Sequence, residues 1–146
     1  MFLPLLLGAG VLVGSLLTHG TAMALLVHLA ARLIRAGSPA VELPRSVAVL
    51  LTVVLATAAA HLLPIALWAV ASLLVGEVAT FEKAFYLSAQ NYVALGYGDV
   101  LLSERWHLLG PLEAINGLLL FGLSTSVAFA VMSRLLADRL HEEQGP

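Results

Sequence analysis

The sequence predicts an all-α membrane protein with three transmembrane helices and a fourth, short helix that enters the membrane and returns. Three observations predict it. Of 146 residues, 60% are hydrophobic and only 11% are charged, against roughly 25% charged in an ordinary soluble domain. Three stretches almost free of charge each exceed the about 20 apolar residues that a helix needs to cross a bilayer. Between the second and third lies a segment too polar to span and too apolar for an ordinary loop.

The first stretch runs from Phe2 to Ala31 and ends at Arg32 and Arg35, giving an N-terminal transmembrane helix within 1–36. Ala36-Gly37-Ser38-Pro39 then breaks the helix, because glycine and proline punctuate it. Thr21-Ala22-Met23-Ala24 imitates a signal-peptide cleavage site, but no basic region precedes it, so the segment is expected to remain as a span. The second stretch, 46–77, is interrupted by His61 and Pro64, and the missing amide of Pro64 predicts a kink in its outer half. The third, 108–137, carries Glu113 near its start and the small residues Gly117, Gly122, Ser124, Thr125 and Ser126, which allow close helix approach or bending. Residues 141–146 read as a short tail.

Charge placement sets the expected orientation. Arg32, Arg35 and Arg45 lie in the first loop and Arg134 and Arg139 at the end of the third span, which puts both on the cytoplasmic side and the N-terminus outside. The re-entrant region then faces outward with Glu77, Glu82, Asp99 and Glu104 against Lys83 and Arg105, a negative balance that attracts cations. A formal net charge of −2 gives no reason to expect a nucleic-acid partner. No span carries arginines at regular helical spacing, so no voltage sensor is encoded. No nucleophile, base pair or metal cluster converges, so neither an enzyme nor a cofactor is expected. His19, His28 and His61 each stand alone on their helix faces and read as core or interface histidines, while Trp68 and Trp106 are expected in the interfacial belt.

The chemistry lies between the second and third spans. Residues 80–93 read as a short helix, with Thr80 as its N-cap and Glu82 complementing its positive end. Ala94-Leu95-Gly96-Tyr97-Gly98-Asp99 follows directly. A ring of backbone carbonyls replaces an ion's hydration shell only if successive carbonyls point toward one axis. Alternating backbone handedness achieves that, and glycine adopts the left-handed form without steric cost. Tyr97 is expected to turn its ring away from the axis and pack on the helix behind, with Asp99 capping the outer end. The negative end of the short helix favours a cation at the centre. One chain supplies only part of such a ring, so several copies must surround the axis.

The segment resembles the potassium-channel signature T-V-G-Y-G-D, set in the two-helix pore module of that family as found in small prokaryotic ion-channel proteins. The resemblance covers roughly residues 46 to 140 and leaves the first span outside. It implies a potassium-channel pore fold, with an outer helix at 46–77, a pore helix at 80–93, a selectivity filter at 94–99 and an inner helix at 108–137. It further implies a homotetramer in a prokaryotic inner or plasma membrane that conducts potassium passively. Potassium is then the permeant ion, facing the carbonyls of Ala94, Leu95, Gly96, Tyr97 and Gly98, with ion sites at Leu95 to Gly98. By the same resemblance Gln90 or Tyr86 tethers Asp99, Gly122 is the gating hinge, and Ser126 and Ala130 line the cavity. Glu113, a costly carboxylate inside a span, is expected either to support the filter by facing the back of the pore helix with Asn116 or to reach the outer interface. The chain departs from the signature at Ala94, where the family carries a threonine hydroxyl. That loss predicts lowered conduction and supports a competing reading as a non-conducting or weakly selective accessory subunit.

Overall fold

The computed structural model describes residues 2–35 and 43–143, with side chains over 2–32 and 46–137. Five helices follow one another: α1 (Phe2–Arg35), α2 (Leu43–Ala60), α3 (Leu62–Leu74), α4 (Phe81–Tyr92) and α5 (Leu109–Glu143). No strand occurs among the described residues. Three segments are long and apolar enough to cross a membrane: Phe2–Arg32, Ser46–Leu74, which combines α2 and α3, and Leu109–Ala137. Helix α5 continues to Glu143, so 141–143 are helical rather than tail. The break expected at Ala36 to Pro39 and the last residues, 144–146, lie outside the described residues.

The second span is interrupted near its middle, at His61, and not at Pro64 itself. Proline cannot donate to the carbonyl four residues back, which is Ala60, so the distortion falls on the preceding turn. There His61 N–H bonds tightly back to the Ala58 carbonyl at 3.2 Å, and the helix resumes with Ile65 N–H donating to the His61 carbonyl at 3.3 Å. Helix α4 starts where Thr80, in extended backbone, accepts the Lys83 amide on its hydroxyl at 3.4 Å. Glu82 sits in its first turn, where a negative charge complements the helix end.

Helix α1 runs alongside α5 and touches it in successive layers. At the α4 end of the molecule, Leu7, Val11 and Leu12 pack on Trp68, Trp106 and Leu109. At the opposite end, Met23, Leu26 and Ala30 pack on Val49, Val53, Val131 and Leu135. Trp68 and Trp106 are therefore buried against α1. The apolar body of each ring gains more from packing on leucines than from partial exposure.

Helix α4 is wedged between neighbours. Ala84 and Leu87 meet Ala69 and Val78 on one side, and Tyr92 meets Ile65 and Leu120 on the other. At Gly117 the backbone of α5 passes so close to α4 that a Cβ would collide with the Tyr92 carbonyl. Glycine there permits α5 to lie directly against the last residue of α4.

Candidate functional site

Leaving α4, the chain makes a tight turn in which the Ala94 amide donates to the Asn91 carbonyl at 2.9 Å and the Leu95 amide to the Gln90 carbonyl at 2.8 Å. Residues 95–98 then have no regular secondary structure. Ala94, Gly96 and Gly98 have φ of +57°, +57° and +77°, while Leu95 and Tyr97 between them are not left-handed. Handedness therefore alternates residue by residue, a pattern that turns successive carbonyls toward one side. Glycine accepts this freely at two of the three positions. Ala94 does not, and its side chain there costs about 1–2 kcal/mol. Sequence pattern pointed to Gly96 and Gly98 and missed the third left-handed residue, because an alanine gives no sign of one.

Gln90 organises the segment from behind. Buried on α4, it donates from Nε2 to Asp99 Oδ1 at 3.1 Å and accepts the Tyr97 amide on Oε1 at 3.1 Å. The Tyr86 hydroxyl donates to the other Asp99 oxygen at 2.9 Å, so both candidate tethers reach the carboxylate together. The Gln90 amide first and the Tyr86 hydroxyl second hold the Asp99 carboxyl below its usual range. The same contact with Asp99 pushes the Tyr86 phenol up.

The Tyr97 side chain is 69% exposed in the single chain, while its amide is held by Gln90.

Behind α4, Glu113 is 3% exposed and its Oε2 accepts from Asn91 Nδ2 at 3.3 Å, with Ser88 of α4 also beside it. Its carboxylate faces α4. Asn116 shares that face, fully buried, and its amide has no hydrogen-bond partner among the described residues. Gly122 lies in unbroken helix with open space around it, since a Cβ would meet nothing within 4 Å. Ser126 and Ala130, one and two turns on, are exposed in the single chain, and the Ser126 hydroxyl turns back to the Gly122 carbonyl at 2.9 Å. In the outer loops, Glu77 takes both the amide and the hydroxyl of Ser103, each at 2.7 Å.

His19 and His61, read singly from the sequence, are not alone. Their rings lie 4.5 Å apart, and both approach the hydroxyl of Ser124, at 2.8 and 3.0 Å. His61 also meets the Tyr92 hydroxyl at 2.8 Å. These partners lie 31 to 105 residues apart, so no local spacing could have paired them. The usable signal was their depth, because a polar group in mid-span requires a partner. Among the described residues no group of His, Cys, Asp or Glu is arranged to hold a metal ion.

The ion channel family matches residues 47–134, from α2 through the glycine-bearing segment and most of α5, leaving α1 outside. No curated protein and no solved structure matches the chain. The match takes in more than half of a chain whose three apolar helices make it an integral membrane protein. This chain therefore belongs to the ion channel family, not to an enzyme family.

Proposed function

We propose that the chain is one subunit of a homotetrameric, potassium-selective channel that conducts passively along the axis shared by four copies. The alternating handedness at Ala94, Gly96 and Gly98 carries this reading, since it suits a column of carbonyls facing one line. Carbonyls of Ala94, Leu95, Gly96, Tyr97 and Gly98 then substitute for water around potassium. Gln90, Tyr86 and Asp99 keep the column from collapsing inward, and Glu113 backs α4. The exposed Tyr97 side chain supports assembly, because a neighbouring copy would cover it. Gly122, Ser126 and Ala130 lie on one exposed stripe of α5 and are assigned to the hinge and the cavity wall. The N-terminus lies outside and the C-terminus in the cytoplasm.

Reconstitution of the pure protein in liposomes tests this. Potassium flux well above sodium flux, with a cross-linked ladder ending at four subunits, is the expected result. Equal fluxes, or a ladder that stops at two, would refute it. Ala94 favours one rival, a non-conducting accessory subunit, because four hydroxyls are missing from the inner end of the tetramer's filter. A tetramer without flux would establish that rival.

A further inference from the structure

Four buried polar side chains from different parts of the chain form one continuous run of hydrogen bonds. His19 Nε2 on α1 lies 2.8 Å from Ser124 Oγ on α5, which lies 3.0 Å from His61 Nε2 at the α2–α3 break. His61 Nδ1 lies 2.8 Å from the hydroxyl of Tyr92, the last residue of α4. The serine hydroxyl has one hydrogen and two lone pairs, so it accepts from at least one of the two imidazoles, and Met23 Sδ lies 4.0 Å from it as a further acceptor. The Phe121 ring lies against His61 at 4.4 Å between centroids. The Ala60 carbonyl, which Pro64 leaves without its helical donor, faces the His19 ring.

The run ends two residues before Ala94, where a side chain is held in left-handed backbone. Such strain persists only where the surroundings over-determine it. On one side the Ala94 and Leu95 amides are tied to the last turn of α4. On the other, Tyr92 is fixed by Gly117 against its carbonyl and by His61 at its hydroxyl.

We propose that His19 and His61 are positioning residues for the filter. Through Ser124 and Tyr92 they hold the end of α4 so that Ala94 stays left-handed, which makes α1 a working part of the innermost ion position. This inference rests on the potassium-channel reading and adds a role for the one helix that the family match leaves out.

The test compares the full chain, Tyr92→Phe, His19→Leu, and each variant combined with Ala94→Gly. Potassium and sodium fluxes are measured in liposomes at matched tetramer content, and the Ala94 carbon chemical shifts, which report φ, by solid-state NMR. Tyr92→Phe removes one hydroxyl and keeps the ring. It is expected to lower the potassium-to-sodium flux ratio about three- to tenfold, the loss of one buried hydrogen bond. His19→Leu lowers the ratio in the same direction from α1. Ala94→Gly restores most of it in both, because glycine is left-handed without support. An unchanged ratio in Tyr92→Phe, or no restoration by Ala94→Gly, would overturn the proposal. So would an Ala94 shift that stays left-handed in Tyr92→Phe, whatever the flux. A parent protein without selectivity would sink the channel reading alone and leave the chemical shifts to judge the relay.

Discussion

Oε1 of Gln90 accepts the main-chain amide of Tyr97 at 3.1 Å, while the other end of the same side chain holds Asp99. One buried amide thus fixes the middle and the outer end of the glycine-bearing segment at once. Gln90→Leu should leave the Tyr97 amide without its partner, at a cost of about 1–3 kcal/mol. The expected result is a lower melting temperature in detergent and a potassium-to-sodium flux ratio reduced about tenfold. Gln90→Glu keeps the acceptor for Tyr97 but loses the donor to Asp99, so it should retain more of the stability than of the selectivity.

Acid and alkali should act on the outer clamp in opposite directions. The Asp99 carboxyl is lowered by Gln90 and Tyr86, so its contribution is complete above the ordinary aspartate value near pH 4 and is lost only as pH falls below that. The Tyr86 phenol is raised by Asp99, so its contribution is complete below the ordinary tyrosine value of about 10 and is lost as pH rises beyond it. Selective flux should therefore hold across the interval between. Asp99→Asn should abolish the acid limb, which a pH series on parent and variant would reveal.

Gly117 and Gly122, both on α5, should respond oppositely to alanine. At Gly117 the added methyl meets the Tyr92 carbonyl, and overpacking of about 1–3 kcal/mol outweighs the gain in helix propensity. At Gly122 the methyl meets nothing, so α5 gains up to about 1 kcal/mol. Melting curves should separate the pair. If Gly122 bends during gating, Gly122→Ala should also lower open probability in single-channel records.

Ala94→Thr would add the hydroxyl that the potassium-channel signature carries. Potassium flux should rise, because the innermost position gains oxygen ligands. A β-branched residue in left-handed backbone should at the same time lower stability by about 1 kcal/mol or more. Flux and melting temperature measured on the same preparation check both. Flux no greater than in the parent would mean that the hydroxyl is not what limits conduction here.

Apolar runs ending at arginines mark the three spans in the sequence, because a bilayer demands length and hydrophobicity over a continuous stretch. Gly96, Gly98 and Asp99 were equally legible, being close in sequence and tied to one backbone geometry. Three features were not. The break at His61 lies a turn before the proline that causes it. The left-handed backbone at Ala94 carries no residue signal, since alanine has no preference for it. The His19–Ser124–His61–Tyr92 run joins residues that only tertiary packing of α1 could bring together.

The position of His19 sets a lower limit on what can be removed from this protein. A version cut back to the matched segment alone would keep the Ser124–His61 and His61–Tyr92 contacts but lose His19 from Ser124, and would turn the apolar face that α1 covers on Val53 and Val131 toward hydrocarbon tails. Removal of α1 should therefore cost stability along the whole length of α5, where its leucines and Met23 now pack.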